Sequence, residues 1–138
     1  MISVTEARDI MLAHLDCTGL EEIAIEACLG RTLAAPVVAT RDQPPFHASA
    51  MDGYAVRSAD TPGRLRFVGE AGAGHALDRP LMAGECARIF TGAPLPTGAD
   101  AVVIQEEVTR EGVTVTVPAV ATGKHVRAPG LDFAASAI

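Results

Sequence analysis

Three stretches of this 138-residue chain hold the residues whose types and spacing could do chemistry. The first, residues 44–56, reads PPFHASAMDGYAV. Two prolines stiffen the approach, Ser49 offers a hydroxyl, and Asp52-Gly53 turns the chain into a strand-like run. A carboxylate at Asp52 suits a hard cation or its water shell. The structural alternative is a type I′ turn, for which Asp-Gly is a favoured pair. The second stretch, residues 89–103, reads IFTGAPLPTGADAVV. Thr91 can donate to an oxygen. Gly92 lets a ligand approach the backbone, and the prolines hold the loop without needing backbone donors. A rigid connecting loop would look the same, and the Gly-Lys-Ser/Thr ending of a Walker loop is absent. The third, residues 123–132, reads GKHVRAPGLD and sets Arg127 and Asp132 five residues apart around a Pro-Gly turn. Such a pair could grip an oxyanion or organise a metal-bound phosphate, or it could be a surface ion pair of little energetic weight.

The elements that must position these residues follow from periodicity. Ser3 and Glu6 stand as N-cap and N3 of a capping box, and Ala7, Ile10, Met11 and Leu15 fall on one helical face. Thr18-Gly19 ends that helix. A second short helix is expected near residues 25–29, closed by Gly30, with a further turn over residues 32–35. From Val37 onward glycine and proline punctuate short β-branched runs, which predicts strands at 53–57, 65–68, 86–89, 101–105, 108–110 and 113–117. The last two form a hairpin about Glu111-Gly112, with Val113, Val115 and Val117 on the dry face and Thr114 and Thr116 on the wet one. The fold class is α+β: a short helical N-terminal lobe over residues 1–40 and an irregular β-rich lobe of bent sheets over residues 41–138.

Composition narrows the partners. Hydrophobic residues make up 49% and charged residues 20%, which fits a folded chain. With four Phe, one Tyr and no Trp, the core must be built from aliphatic residues and Ala. No apolar run reaches membrane-spanning length, and the N-terminus lacks the order of a signal peptide, so a cytoplasmic location is expected. The net charge of −6 and the lack of a basic stripe with interleaved aromatics argue against nucleic acid. Cys17, Cys28 and Cys86 form no close pair and the four histidines are dispersed, so no transition-metal site is written here and no disulfide is expected.

Taken together and in this order, "SAMDGYAV", "TGAPLPTGADAVV" followed by Glu106, and "GKHVRAPGLD" resemble successive N-terminal signatures of the MoeA/gephyrin E-domain family, the molybdopterin molybdotransferases. The upstream "LGRTLAAPVVA" resembles the segment that precedes them there, so the likeness runs over nearly the whole chain. Three positions depart from the family pattern: His47 stands where Asp is usual, Ala48 where Asn is common, and Leu131 replaces a Glu.

The resemblance implies insertion of molybdate into adenylated molybdopterin, with release of AMP and help from Mg²⁺, in molybdenum cofactor biosynthesis. It implies a homodimer whose cleft combines the β-rich lobe of one subunit with the central domain of the other. Matching residue by residue, it points to Asp52 and Asp132 as catalytic residues and Mg²⁺ ligands, and to Thr91, Arg127 and Ser49 as substrate-binding residues. Asp52, Thr91, Arg127 and Asp132 could instead hold the turns of the lobe together. The resemblance also implies that this is the N-terminal part of the enzyme. The chain alone is then expected to be inactive and the helical lobe incomplete without its continuation. A non-catalytic dimerisation or binding module derived from the family is the alternative.

Overall fold

In the computed structural model, which describes residues 2–138, the chain forms two compact units, Met1–Pro36 and Val37–Ile138. The first contains one α-helix, α1 (Val4–Leu12), and a three-residue 3-10 turn (Ile25–Ala27). The capping box is made as the spacing predicts: Ser3 Oγ accepts from the Glu6 N–H at 3.2 Å, and Glu6 Oε2 accepts from the Ser3 N–H at 2.8 Å. Among the described residues, the rest of the expected helical lobe shows no further α-helix. α1 stops at Leu12 rather than running on to Thr18-Gly19, and the second helix shrinks to the 3-10 turn. The physical reason is lack of burial: no residue of α1 is buried, and Ile10, Met11 and Leu15 are all more than half exposed. A short helix without a packed face has little beyond its cap to extend it.

The second unit is mostly strand. A six-stranded sheet runs in the order β5-β2-β4-β3-β7-β6, with β2 Gly53–Val56, β3 Gly63–Ala71, β4 Glu85–Ile89, β5 Ala101–Ile104, β6 Thr109–Glu111 and β7 Thr114–Val117. Only β3 and β4 pair in parallel, with an irregularity between Phe67 and Glu70. Two short strands, β1 (Ala48–Ser49) and β8 (Val126–Arg127), pair antiparallel as a separate ribbon. At two residues each, they are too short to show a period in sequence.

Alternation sorts the side chains onto two faces. Tyr54, Val56, Leu65, Cys86, Val103, Val115 and Val117 form one buried cluster. Ala55, Ala71, Ile89, Ala93 and Val102 form the other, on which Leu95, Ala99 and Val126 pack. β2 is buried along its whole length, so its residues face both layers. Removing a side chain such as Ile89 from water is worth roughly 1.5–3 kcal/mol.

The β6–β7 hairpin is present, but its loop is Gly112-Val113, between the paired Glu111 and Thr114. Gly112 takes φ +60°, the left-handed region that a tight hairpin requires. Val113 therefore lies in the turn and is 65% exposed, whereas Val115 and Val117 are buried as their alternation predicts.

Candidate functional site

The three chemistry-bearing stretches converge in the second unit, and they do so through backbone hydrogen bonds. β1, from the first stretch, lies between the other two. The Ser49 N–H donates to Ala93 O and Gly92 N–H donates to Ser49 O, both at 2.9 Å, while Leu95 N–H donates to His47 O at 2.8 Å. From the third stretch, β8 pairs Arg127 with Ala48 and Val126 with Ser49. Gly130 N–H and Asp132 N–H reach back to Pro44 O and Gln43 O at 2.9 and 2.8 Å. Ala93 and Val126 also cover the second face of the sheet, so these loops are part of the core they stand on.

Asp52 sits at the entrance to β2, and the loop after β4 caps it. Thr91 donates both its backbone N–H (2.8 Å) and its hydroxyl (2.7 Å) to Asp52 Oδ1. These two donors hold the Asp52 carboxyl below its usual range, with the positive charge of Arg88 adding in the same sense. Among the described residues none donates to Oδ2.

The Asp-Gly pair is not a type I′ turn. Neither residue has a positive φ, and Gly53 is the first residue of β2. Its lack of a side chain answers a different need: a Cβ there would lie 2.1 Å from Val103 O. Glycine is required because the β5 backbone passes directly against it.

Ser49 is fully buried, and its hydroxyl is spent locally, donating to Met51 O at 2.6 Å and accepting from Met51 N–H at 3.3 Å. It shapes the bend between β1 and Asp52. Arg127 and Asp132 form an ion pair across the Pro-Gly turn, their side chains 36% and 43% exposed. Asp52 and Thr91 are thus joined directly, Arg127 and Asp132 are joined directly, and the β1–β8 ribbon ties the two pairs into one framework.

Sequence reasoning missed Arg88 and Gln105. Arg88 Nη1 donates to Gly53 O at 3.1 Å, and its Nη2 donates to Gln105 Oε1 at 2.5 Å. Gln105 N–H in turn donates to Asp52 O at 3.1 Å. The signal was a lone arginine in the otherwise apolar run that precedes Thr91. A cavity of about 350 Å³ beside β5, lined in part by Val103, Glu107, Lys124 and His125, touches the second and third stretches but contains none of Ser49, Asp52, Thr91, Arg127 and Asp132.

Among the described residues no three His, Cys, Asp or Glu side chains gather for a metal. The donor set therefore makes no cage. It offers the unbonded oxygen of Asp52, while Asp132 Oδ1 is taken by Arg127. That suits Mg²⁺, which keeps several waters and is commonly taken through one or two carboxylates together with substrate oxygens.

With this geometry in place, the comparison with known families is decisive. A family model described as the MoeA N-terminal region (domain I and II) matches residues 2–138. The chain belongs to the MoeA family. It is 38% identical over 124 residues to a molybdopterin molybdenumtransferase of Staphylococcus epidermidis, covering 84% of this chain and 29% of that protein. It is 43% identical over 104 residues to one of Nostoc sp., covering 70% of this chain and 24% of that protein. The chain thus spans less than a third of the length of these MoeA relatives. The crystal structure of a molybdopterin biosynthesis MoeA protein from Pyrococcus horikoshii superposes with a TM-score of 0.81 at 34% identity, covering 86% of this chain and 33% of that one. The mostly-strand architecture with one helix is that of the MoeA N-terminal region. Within the described residues no helix is long and apolar enough to cross a membrane.

Proposed function

We propose that this chain provides the N-terminal region of a molybdopterin molybdotransferase, which inserts molybdate into adenylated molybdopterin in molybdenum cofactor biosynthesis. The convergence of the three stretches on one hydrogen-bonded framework carries this reading, and the names of its relatives support it. Asp52 is ionised at neutral pH and fixed by two donors on one oxygen, which leaves the other for a cation's water shell or a substrate proton. Mg²⁺, when bound, would neutralise charge on phosphate and oxyanion oxygens. Arg127 matches planar oxyanion recognition, and its pairing with Asp132 keeps the guanidinium oriented until an anion competes for it. Thr91 orients Asp52 first, and its oxygen can still accept. Ser49 supports the turn from beneath. The reading includes a cytoplasmic homodimer, with the cleft closed by the central domain of a second subunit.

The test is substitution in a full-length context. Asp52→Ala and Asp132→Ala are each expected to lose most insertion activity in a reconstituted assay, on the order of a hundredfold, with melting temperature kept within a few degrees. Near-normal turnover in either variant, or loss that merely follows a collapsed melting temperature, removes that residue from the mechanism.

A further inference from the structure

We propose that Arg88 is the positioning residue of the Asp52 site. Its guanidinium fork ties the Gly53 carbonyl to the Gln105 side chain and so fixes the backbone on both sides of the carboxylate. This rests on the function proposed above, but the geometry stands by itself.

Arg88 lies on β4, opposite Tyr54 of β2 and Glu70 of β3 in the register. Its side chain crosses β2 to reach Gln105, immediately after β5, so it spans three adjacent strands. Four contacts hold it: Gly53 O, Gln105 Oε1, the Phe90 ring at 4.8 Å and the Tyr54 ring at 5.5 Å. Among the described residues it forms no ion pair with any carboxylate within 4.0 Å. Its charge is therefore not used as a simple staple.

What it does hold surrounds Asp52. The Asp52 carbonyl accepts from Gln105 N–H, and the next carbonyl, Gly53 O, accepts from Arg88 itself. Gln105 is further tethered by its Nε2 donating to Glu106 Oε1 at 3.1 Å. With the main chain locked on this side and Thr91 locking Oδ1 on the other, Oδ2 has one direction in which to point. A lysine would keep the charge but cannot bridge two acceptors in a fixed plane.

The experiment reads the Thr91 amide, whose proton donates to Asp52 Oδ1. In Arg88→Lys and Arg88→Met of this chain, that amide is expected to exchange about tenfold faster, as losing one hydrogen-bond anchor would cause. The sheet-interior amides of Ala55 and Ala87 should be unchanged. In a full-length context, kcat for insertion should fall on the order of tenfold to a hundredfold with KM little altered, since misplacement rather than lost binding is the defect. Gln105→Ala, which removes only one acceptor of the fork, should move both readouts the same way by less. It also serves if neither Arg88 variant folds. A folded Arg88→Lys with Thr91 exchange and kcat at their original values overturns the inference, as does a Gln105→Ala that changes neither. Failure of the underlying function looks different: Asp52→Asn would retain activity while Thr91 exchange still responded to Arg88.

Discussion

Residues 2–36 and residues 37–138 obey the same local rules and bury very different amounts of side chain. In the first stretch a complete capping box starts a helix, yet no described residue is buried, and Ala7 and Ile23 alone reach intermediate burial. In the second, short strands of Ala, Val and Ile reach zero exposure on both faces of a sheet. The contrast shows how far local signals go. They decide where an element begins, whereas burial decides how long it is and how much disturbing it costs.

The largest expected effect comes from comparing glycines. Gly53→Ala would drive a methyl into the Val103 backbone oxygen, which cannot swing aside, and is expected to cost at least about 3 kcal/mol or prevent folding. Gly19→Ala has nothing within 4 Å and is expected to stay within about 0.5 kcal/mol. Urea unfolding of both variants checks this. Equal midpoints would mean that the tight β2–β5 approach is not a feature of the protein in solution.

Next come large-to-small changes. Ile89→Ala removes a fully buried side chain between β2 and β3 and is expected to cost roughly 2–5 kcal/mol. Leu15→Ala, at a position 70% exposed, should lie within about 0.5 kcal/mol of the parent. Thermal unfolding followed at a sheet-sensitive wavelength measures both. A Leu15 variant as damaging as the Ile89 one would show that residues 2–36 have a packed partner in solution.

A pH titration separates the two regions by their carboxylates. Glu85 is buried at the start of β4, where Arg79, the Met82 N–H and Arg66 hold its pKa at about 2, down from 4.5. Because the folded value is depressed, its contribution is fully present above about pH 4.5 and is lost as pH falls toward 2. Glu6 is shifted the same way by Ser3, but it is exposed and stabilises only the first turn of α1. Glu85→Gln is therefore expected to flatten the fall in melting temperature between pH 4.5 and 2, whereas Glu6→Gln should leave that limb unchanged. A Glu85→Gln variant with the parent's acid limb would show that the Arg79 and Arg66 clasp is not formed. The neighbouring Cys86 lies in the buried cluster with Val56 and Val103: burial pushes its thiol up to about 11, so alkylation in the folded chain should be slow beside exposed Cys17 and Cys28.

How legible the molecule was in its sequence follows the same division. The capping box, the cores of β2, β4, β5 and β7, and the β6–β7 hairpin could be read because each is set by residues close in sequence. The role of Gly53 could not, since only the identity of its cross-strand neighbour distinguishes a turn glycine from a close-approach glycine. β3 runs to nine residues because β4 and β7 both pair with it, including segments around Gly63 and Gly69 that carry no strand signal. At the site, Asp52 and Thr91 could each be named, but the two bonds between them span 39 residues. Arg88 looked like one more strand residue until Gly53, Gln105 and two aromatic rings closed around it.

The smallest expected effect tests whether a local signal can be removed without global consequence. Ser3→Ala deletes the oxygen that accepts from the Glu6 N–H and leaves the Glu6 side chain to cap alone. Loss of an N-cap side chain costs about 1 kcal/mol of helix stability. A nine-residue helix with no buried side chain has little to offset that, so its population should fall several-fold. Among the described residues, the two buried clusters of the sheet start at Tyr54. Amide exchange over residues 4–12 should therefore quicken, and the far-ultraviolet helix signal should drop, while the urea midpoint read at β4 stays where it was. A shift of that midpoint by as much as the helix loses would mean that α1 and the sheet unfold as one cooperative unit.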